Sequence, residues 1–322
     1  MLPFCSANNS LSFSPTGDVP APESSYNVLI GMVYLLHGIL GIPISAVVFW
    51  VFCQPDQIRY TCYKLMALLS ILDILNLVNA CIFAGIFSLL GATHCNSGRF
   101  VNYVASWQFS KLEIHPLEAK DPVLVLWMSY SMASQILSLN RLIVFINQDW
   151  AKVLFVGNRI YIWFLTIPIY GIALYVAVPD PFYFYDPYGG SYLFLTISEQ
   201  ANKVQIYGNF LKAGWVTTIY VILVILMYFN VKVTLQTLLI AVLYDICSCF
   251  YLGQSYLTFP EFLQNIDGLL GQLVWIWLHI GTAIIYMVLN SPVKSELRRL
   301  FRRNGNATVT VVAQLPNKMS SG

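Results

Sequence analysis

Apolar residues gather along the chain into seven long windows divided by short polar stretches: Val28–Phe52, Tyr63–Leu90, Val123–Asn147, Ile160–Val178, Gly214–Asn230, Val233–Leu257 and Ile266–Asn290. A bilayer core about 30 Å thick is crossed by about 20 mostly apolar residues in helical form. Each window therefore predicts a spanning helix, and the set predicts an all-α membrane protein folded as a seven-helix bundle over residues 28–291. Residues 1–27 read as a polar tail carrying Pro15, Pro20 and Pro22, and residues 292–322 as a tail at the other end. The charged start, short apolar run and small-residue cleavage site of a signal peptide are missing from this stretch, so none is expected.

Polar residues inside the windows carry more information, because each must find a partner within the bundle or a wet cavity. In the third window Trp127, Ser131, Ser134, Ser138 and Arg141 recur at steps of 4, 3, 4 and 3, which places them on one helical stripe. In the seventh, Gln272, Trp275, His279, Thr282 and Tyr286 follow steps of 3, 4, 3 and 4. The second window supplies Ser70, Asp73 and Asn76, and the sixth Asp245 and Ser248. An ionised carboxylate at mid-membrane costs about 2.5–3.5 kcal/mol on insertion scales, so Asp73 and Asp245 are expected to face inward. Interhelical hydrogen bonds worth about 0.6 kcal/mol each would explain any one of these groups. Four polar faces turned to one interior favour a site. Ligand pockets are mostly apolar with a few placed polar groups. Trp127, Tyr130, Ser131, Tyr251, Gln254, Gln272 and Trp275 fall on or near the stripes toward one end of the windows, and are the candidate ligand contacts.

Composition excludes a water-soluble surface: only 10% of the 322 residues are charged, against about 25% in an ordinary soluble domain. With the N-terminus outside, twelve of the 17 lysines and arginines fall on the cytoplasmic side. Arg99, Lys111, Lys120, Lys203 and Lys212 make up the outer five. The positive-inside rule thus predicts an outer N-terminus and a cytoplasmic C-terminus. Arg141 lies 18 residues after Val123, about 27 Å along a helix, so it reaches the inner interface where its stem can snorkel to water. After the seventh window, NSPVKSELRRLF predicts a short amphipathic helix on an anionic leaflet. Pro292 fits its first turn, and Val293, Leu297, Leu300 and Phe301 share a face opposite a run of cations.

Chemistry-bearing motifs are few. There is no repeat, no phosphate-binding glycine loop, no nucleophile elbow and no metal-ligand spacing, so neither an enzyme, a cofactor, a metal nor a nucleic-acid partner is expected. Cys53, Cys62, Cys81, Cys247 and Cys249 read as small buried thiols. Cys5 and Cys95 both fall on the oxidising side and are placed for a disulfide there. Sequons stand at Asn8 in the first tail and Asn306 in the last.

Seven windows, an Asn-Arg pair at the inner end of the third and a basic segment after the seventh resemble a G-protein-coupled receptor. TCYKLMALLSILDIL at 61–75, SLNRLIVF at 138–145 and GQLVWIWLHIGTAIIYMVLNSPVK at 271–294 are similar to the nematode serpentine chemoreceptors, most closely their class T, over about residues 28–300. The resemblance implies a receptor in the plasma membrane of sensory cells that binds a small external molecule within the bundle and signals to a heterotrimeric G protein. By it, Asp73 matches an acidic position that helps hold sodium in rhodopsin-like receptors. Arg141 matches the arginine that faces the G protein, and Tyr286 the tyrosine of the Asn-Pro-x-x-Tyr motif.

Departures from the pattern are also specific. Asn140 replaces the acidic partner of Arg141, Thr282 and Ala283 replace Asn-Pro, and the sixth window has no proline. FSKLEIHPLEAKDP at 109–122 interrupts the start of the third helix, and YFNVKV at 228–233 is a short third inner loop. No cysteine between Pro179 and Trp215 is present to tie the second outer loop to helix three. The aromatic run DPFYFYDPYGG at 180–190 reads either as a lid over the bundle mouth or as an interfacial belt. Two other readings remain open: a transporter or ligand-gated channel with Asp73, Asp245, His37 and His279 along a proton or ion path, and a receptor relative that no longer signals. Paired broken helices, common in transporters, are not evident.

Overall fold

The computed structural model describes residues 24–91, 123–177, 181–187, 189–196, 203–226, 231–256, 260, 263 and 266–299. Asn8 and Asn306, Cys5 and Cys95, and the interruption at 109–122 lie outside them. Each of the seven windows forms a helix over its described residues. The helices are α1 (Ser24–Phe52), the short α2 (Pro55–Ile58), α3 (Thr61–Leu77), α4 (Ala84–Leu90), α5 (Val123–Ile146), α6 (Gln148–Phe155), α7 (Arg159–Ala177), α8 (Lys203–Leu226), α9 (Val231–Tyr256) and α10 (Asp267–Leu289). Between α3 and α4 the second span passes through a π-helical stretch, Val78–Phe83. Residues 291–299 are helical again after Asn290, whose side chain accepts from the Val293 amide.

Among the described residues, four helical stretches are long and apolar enough to cross a bilayer: Asn27–Phe52, Thr61–Leu90, Ile206–Leu226 and Asp267–Leu289. The pair Gln148–Phe155 and Arg159–Leu174, bent by 65°, makes a fifth if it counts as one span. The α5 helix has the length, at 24 residues, but its serines, Gln135, Asn140 and Arg141 dilute the apolar run. That polar stripe is the physical reason the third span is weak by hydropathy alone.

Packing closes a ring in which α1 meets α3 and α4, α3 meets α5, α5 meets α8, α8 meets α9, α9 meets α10, and α10 returns to α1. The α7 helix packs on the outside of α5. Burial is inverted relative to a soluble protein. Leu29, Ile39, Ile162, Leu165 and Ile225 are each more than 60% exposed on the outer faces, while Asp73, Asn76, Asn140, Lys212, Gln272 and His279 are buried. Only a surrounding apolar solvent makes that arrangement favourable.

The helical bundle stands as expected, with one addition, a two-stranded antiparallel hairpin, β1 (Pro181–Asp186) and β2 (Ser191–Thr196), which caps one end of the ring. Two sequence expectations need correction. Cys53 and Cys249, read above as buried thiols, are exposed. The fifth span begins at Lys203 rather than Gly214, so Lys212, placed above in an outer loop, lies inside the bundle.

Candidate functional site

The centre of the bundle is built from helical spacing. Trp127 and Tyr130 lie one turn apart on α5, Asn209 and Lys212 on α8, and Trp275 and His279 on α10, so each pair shares a face. His279 Nδ1 meets an Asp73 carboxylate oxygen across α10 and α3 at 2.6 Å, both side chains being buried. The Tyr130 ring stands edge-on to His279 with centroids 4.6 Å apart and stacks on Tyr244 at 5.6 Å. Above them the Lys212 Nζ sits over three rings, 4.0 Å from the Trp127 centroid, 4.4 Å from Tyr244 and 5.1 Å from Tyr130. Trp127 donates its indole N–H to Asn209 Oδ1 at 3.1 Å and packs edge-on to Trp275 at 6.1 Å.

The hairpin closes this core from one side. Tyr185 and Tyr192 are directly paired in the register and point inward together. The Tyr185 hydroxyl hydrogen-bonds Ser88 Oγ at 2.6 Å, and burial pushes its phenol pKa up. Tyr192 donates to Asn79 Oδ1 at 3.0 Å and its ring lies 6.1 Å from Trp275. Tyr34 of α1 donates to the Gly190 carbonyl, and Gly190 itself has φ +67°. Gly268, in the first turn of α10, passes so close to the hairpin turn that an added Cβ would stand 2.4 Å from the Gly189 oxygen. Asn79 belongs to the π-helical stretch, as does Ala80, whose carbonyl accepts from Gln272 at 3.0 Å. Such π turns recur at functional positions because they re-aim side chains and carbonyls.

Of the candidate contacts, Trp127, Tyr130 and Trp275 come together at the centre, and Gln272 lies one turn from Trp275 against the π stretch. Ser131 is buried on the same helix, where its carbonyl accepts from Ser134, and Ser138 bonds the Gln135 carbonyl at 2.7 Å. Tyr251 and Gln254 instead tie α9 to the start of α10, donating to the Gly271 and Asp267 carbonyls at 3.2 and 2.9 Å. Lys212, Asn209 and Tyr244 were absent from the candidates. The period was legible: Asn209, Lys212, Val216, Ile219, Tyr220 and Leu223 are all buried at helical steps, but a late start for the fifth window hid it.

The residues of the supposed ion path do not converge. Asp73 and His279 pair, whereas Asp245 is half-buried between α8 and α9, accepting from Thr217 Oγ1 at 2.7 and 2.8 Å. His37 bonds the Val33 carbonyl at 2.7 Å and lies against Trp277. Among the described residues no group of three His, Cys, Asp or Glu is placed to hold a metal ion. Asp73 faces an imidazole and lies within electrostatic reach of Lys212, neighbours that do not fit a sodium ion.

At the far end of the bundle Arg141 Nη2 meets the Met66 sulfur at 3.6 Å, with Tyr220, Tyr286 and Cys62 within electrostatic reach of the guanidinium. Tyr286 is fully buried and packs edge-on to Phe52 at 5.2 Å. Thus sulfur and phenol groups stand where an acidic neighbour was missing. Asn140 is completely buried, and neither atom of its amide makes a hydrogen bond.

A polar core under a hairpin lid, with an arginine at the opposite mouth, matches the architecture expected from the motifs. A family model described as serpentine type 7TM GPCR chemoreceptor Srt matches residues 14–309. The chain belongs to the Srt family. The resemblance read from 61–75, 138–145 and 271–294 is thereby borne out, and Srt membership makes the chain an integral membrane protein of a receptor family rather than of an enzyme family. No curated protein matches it significantly.

Proposed function

We propose that this Srt chain is a chemosensory receptor that lies in the plasma membrane of sensory cells with its N-terminus outside and its C-terminus in the cytoplasm. A small external molecule passes the hairpin, binds among Trp127, Tyr130, Lys212 and Trp275, and shifts the bundle toward a state that engages a heterotrimeric G protein around Arg141. The observation that carries this reading is the continuous buried path on α10. Trp275 touches the lid residue Tyr192, His279 pairs with Asp73, and Tyr286 lies within electrostatic reach of Arg141. The first and last of those positions lie 11 steps apart, about 16 Å of helix, and link the two ends through one rigid element.

A bound molecule moves that equilibrium only through different affinity for the two states. Arg141 meets a sulfur acceptor rather than a carboxylate, so among the described residues no ion pair has to break for it to move. Residues 291–299, with Val293 buried and Arg298 and Arg299 exposed, would then lie along the anionic inner leaflet. The test is second-messenger output in cells bearing the receptor at their surface, exposed to a panel of small water-soluble and volatile compounds. A concentration-dependent response from some compounds is expected. Silence across the panel at normal surface levels would favour the non-signalling relative, and compound-gated current without G protein would favour a channel.

A further inference from the structure

Lys212 enters the core from α8 with 1% of its surface exposed, and its Nζ makes no hydrogen bond. A buried charge costs several kcal/mol unless it is paired and hydrogen-bonded. Two features offset part of that cost. The faces of Trp127, Tyr130 and Tyr244 surround the ammonium, and Asp73 lies within electrostatic reach. Neither completes the site. Ring faces attract a cation through their quadrupole but leave its N–H groups without an oxygen, and Asp73 already meets His279. The Trp275 indole N–H, a group that can only donate, is likewise buried without an acceptor. Its ring adjoins Trp127, the ring beneath Lys212. The core therefore holds unanswered donors, the Lys212 amine and the Trp275 indole N–H, walled by aromatic rings.

We propose, on the basis of the receptor reading above, that the bundle takes small organic acids, with the ligand carboxylate on Lys212 Nζ and its apolar tail against the surrounding rings. A carboxylate supplies the charged acceptor that an ammonium binds most strongly. Lys212 also sets what is refused. A cage of two tyrosines and a tryptophan would by itself suit an alkylammonium, but the chain's own amine already occupies those rings and denies them to a second.

The probes are sodium hexanoate, hexylammonium chloride and 1-hexanol, added to the purified full-length protein in detergent while its thermal unfolding is followed. Hexanoate is expected to raise the Tm of the wild type and hexylammonium to leave it unchanged. Lys212→Met, neutral and of similar length, is expected to bind hexanoate about 10- to 100-fold more weakly and to be protected by hexylammonium. The proposal is overturned if hexylammonium or hexanol protects the wild type better than hexanoate does. It is equally overturned if hexanoate protects Lys212→Met as well as the wild type, or if no straight-chain acid from acetate to octanoate protects the wild type. Should Lys212→Met fail to fold, the wild-type order of the three probes decides. G-protein activation separates this from the receptor reading. Signalling by amines or alcohols alone keeps the receptor and removes the acids, whereas acid binding without signalling keeps the acids and removes the receptor.

Discussion

Asn140 and the Asp73–His279 pair are opposite cases of a polar residue inside the bundle. Neither amide atom of Asn140 has a partner although the residue is wholly buried. An unsatisfied buried polar group costs about 1–3 kcal/mol, so Asn140→Leu is expected to raise the Tm in detergent by several degrees. A lower Tm would show that the amide has a partner. Asp73 and His279 are matched at 2.6 Å, and removing one member of a buried pair typically costs about 3–5 kcal/mol. Asp73→Ala and His279→Ala should each destabilise strongly, and the double variant by less than their sum, since the partner is no longer stranded. Additive losses would mean that the two groups act independently. The stripe periodicity made Asp73, His279 and Arg141 legible in the sequence. It could not show which partner each would choose, because the partners lie on other helices, as His279 lies 206 residues from Asp73.

Six of the seven spans match their windows within a few residues, the polar third among them, because long helical windows between polar stretches remain visible even when a stripe dilutes them. The fifth was truncated because Asn209 and Lys212 look like loop residues when solvent is assumed, whereas the rings around Lys212 and the acceptor to Trp127 make them core. The hairpin was legible only as an aromatic run. Its strand character depends on Tyr185 and Tyr192 seating against Ser88, Asn79 and Trp275, contacts that exist only once the bundle has formed. Gly268 fixes how deeply the lid sits, since a side chain there meets the Gly189 backbone. Gly268→Val is therefore expected to lift the hairpin and speed amide hydrogen exchange in β1 and β2 by about tenfold or more, each 1.4 kcal/mol being a factor of ten. Unchanged exchange would mean that the lid does not rest on α10.

For the whole molecule, charge asymmetry and the two sequons give an independent check on orientation. Moving Lys212 into the core removes one cation from the outer count and strengthens the positive-inside bias. Glycan on Asn8 alone is expected in cells, read by a mobility shift lost in Asn8→Gln. Glycan on Asn306 alone would reverse the topology. Asn140 stands in place of an acid, and the Arg141 guanidinium meets the Met66 sulfur instead, with Tyr220 and Tyr286 within electrostatic reach. The central claim is that occupation of the core is converted into G-protein activation at Arg141. Its most direct test is nucleotide exchange on a G protein by the purified receptor, with an active compound from the panel, for wild type and Arg141→Ala. The prediction is ligand-stimulated exchange by the wild type and loss of that stimulation in Arg141→Ala with ligand affinity retained. Full stimulated exchange by Arg141→Ala would contradict it.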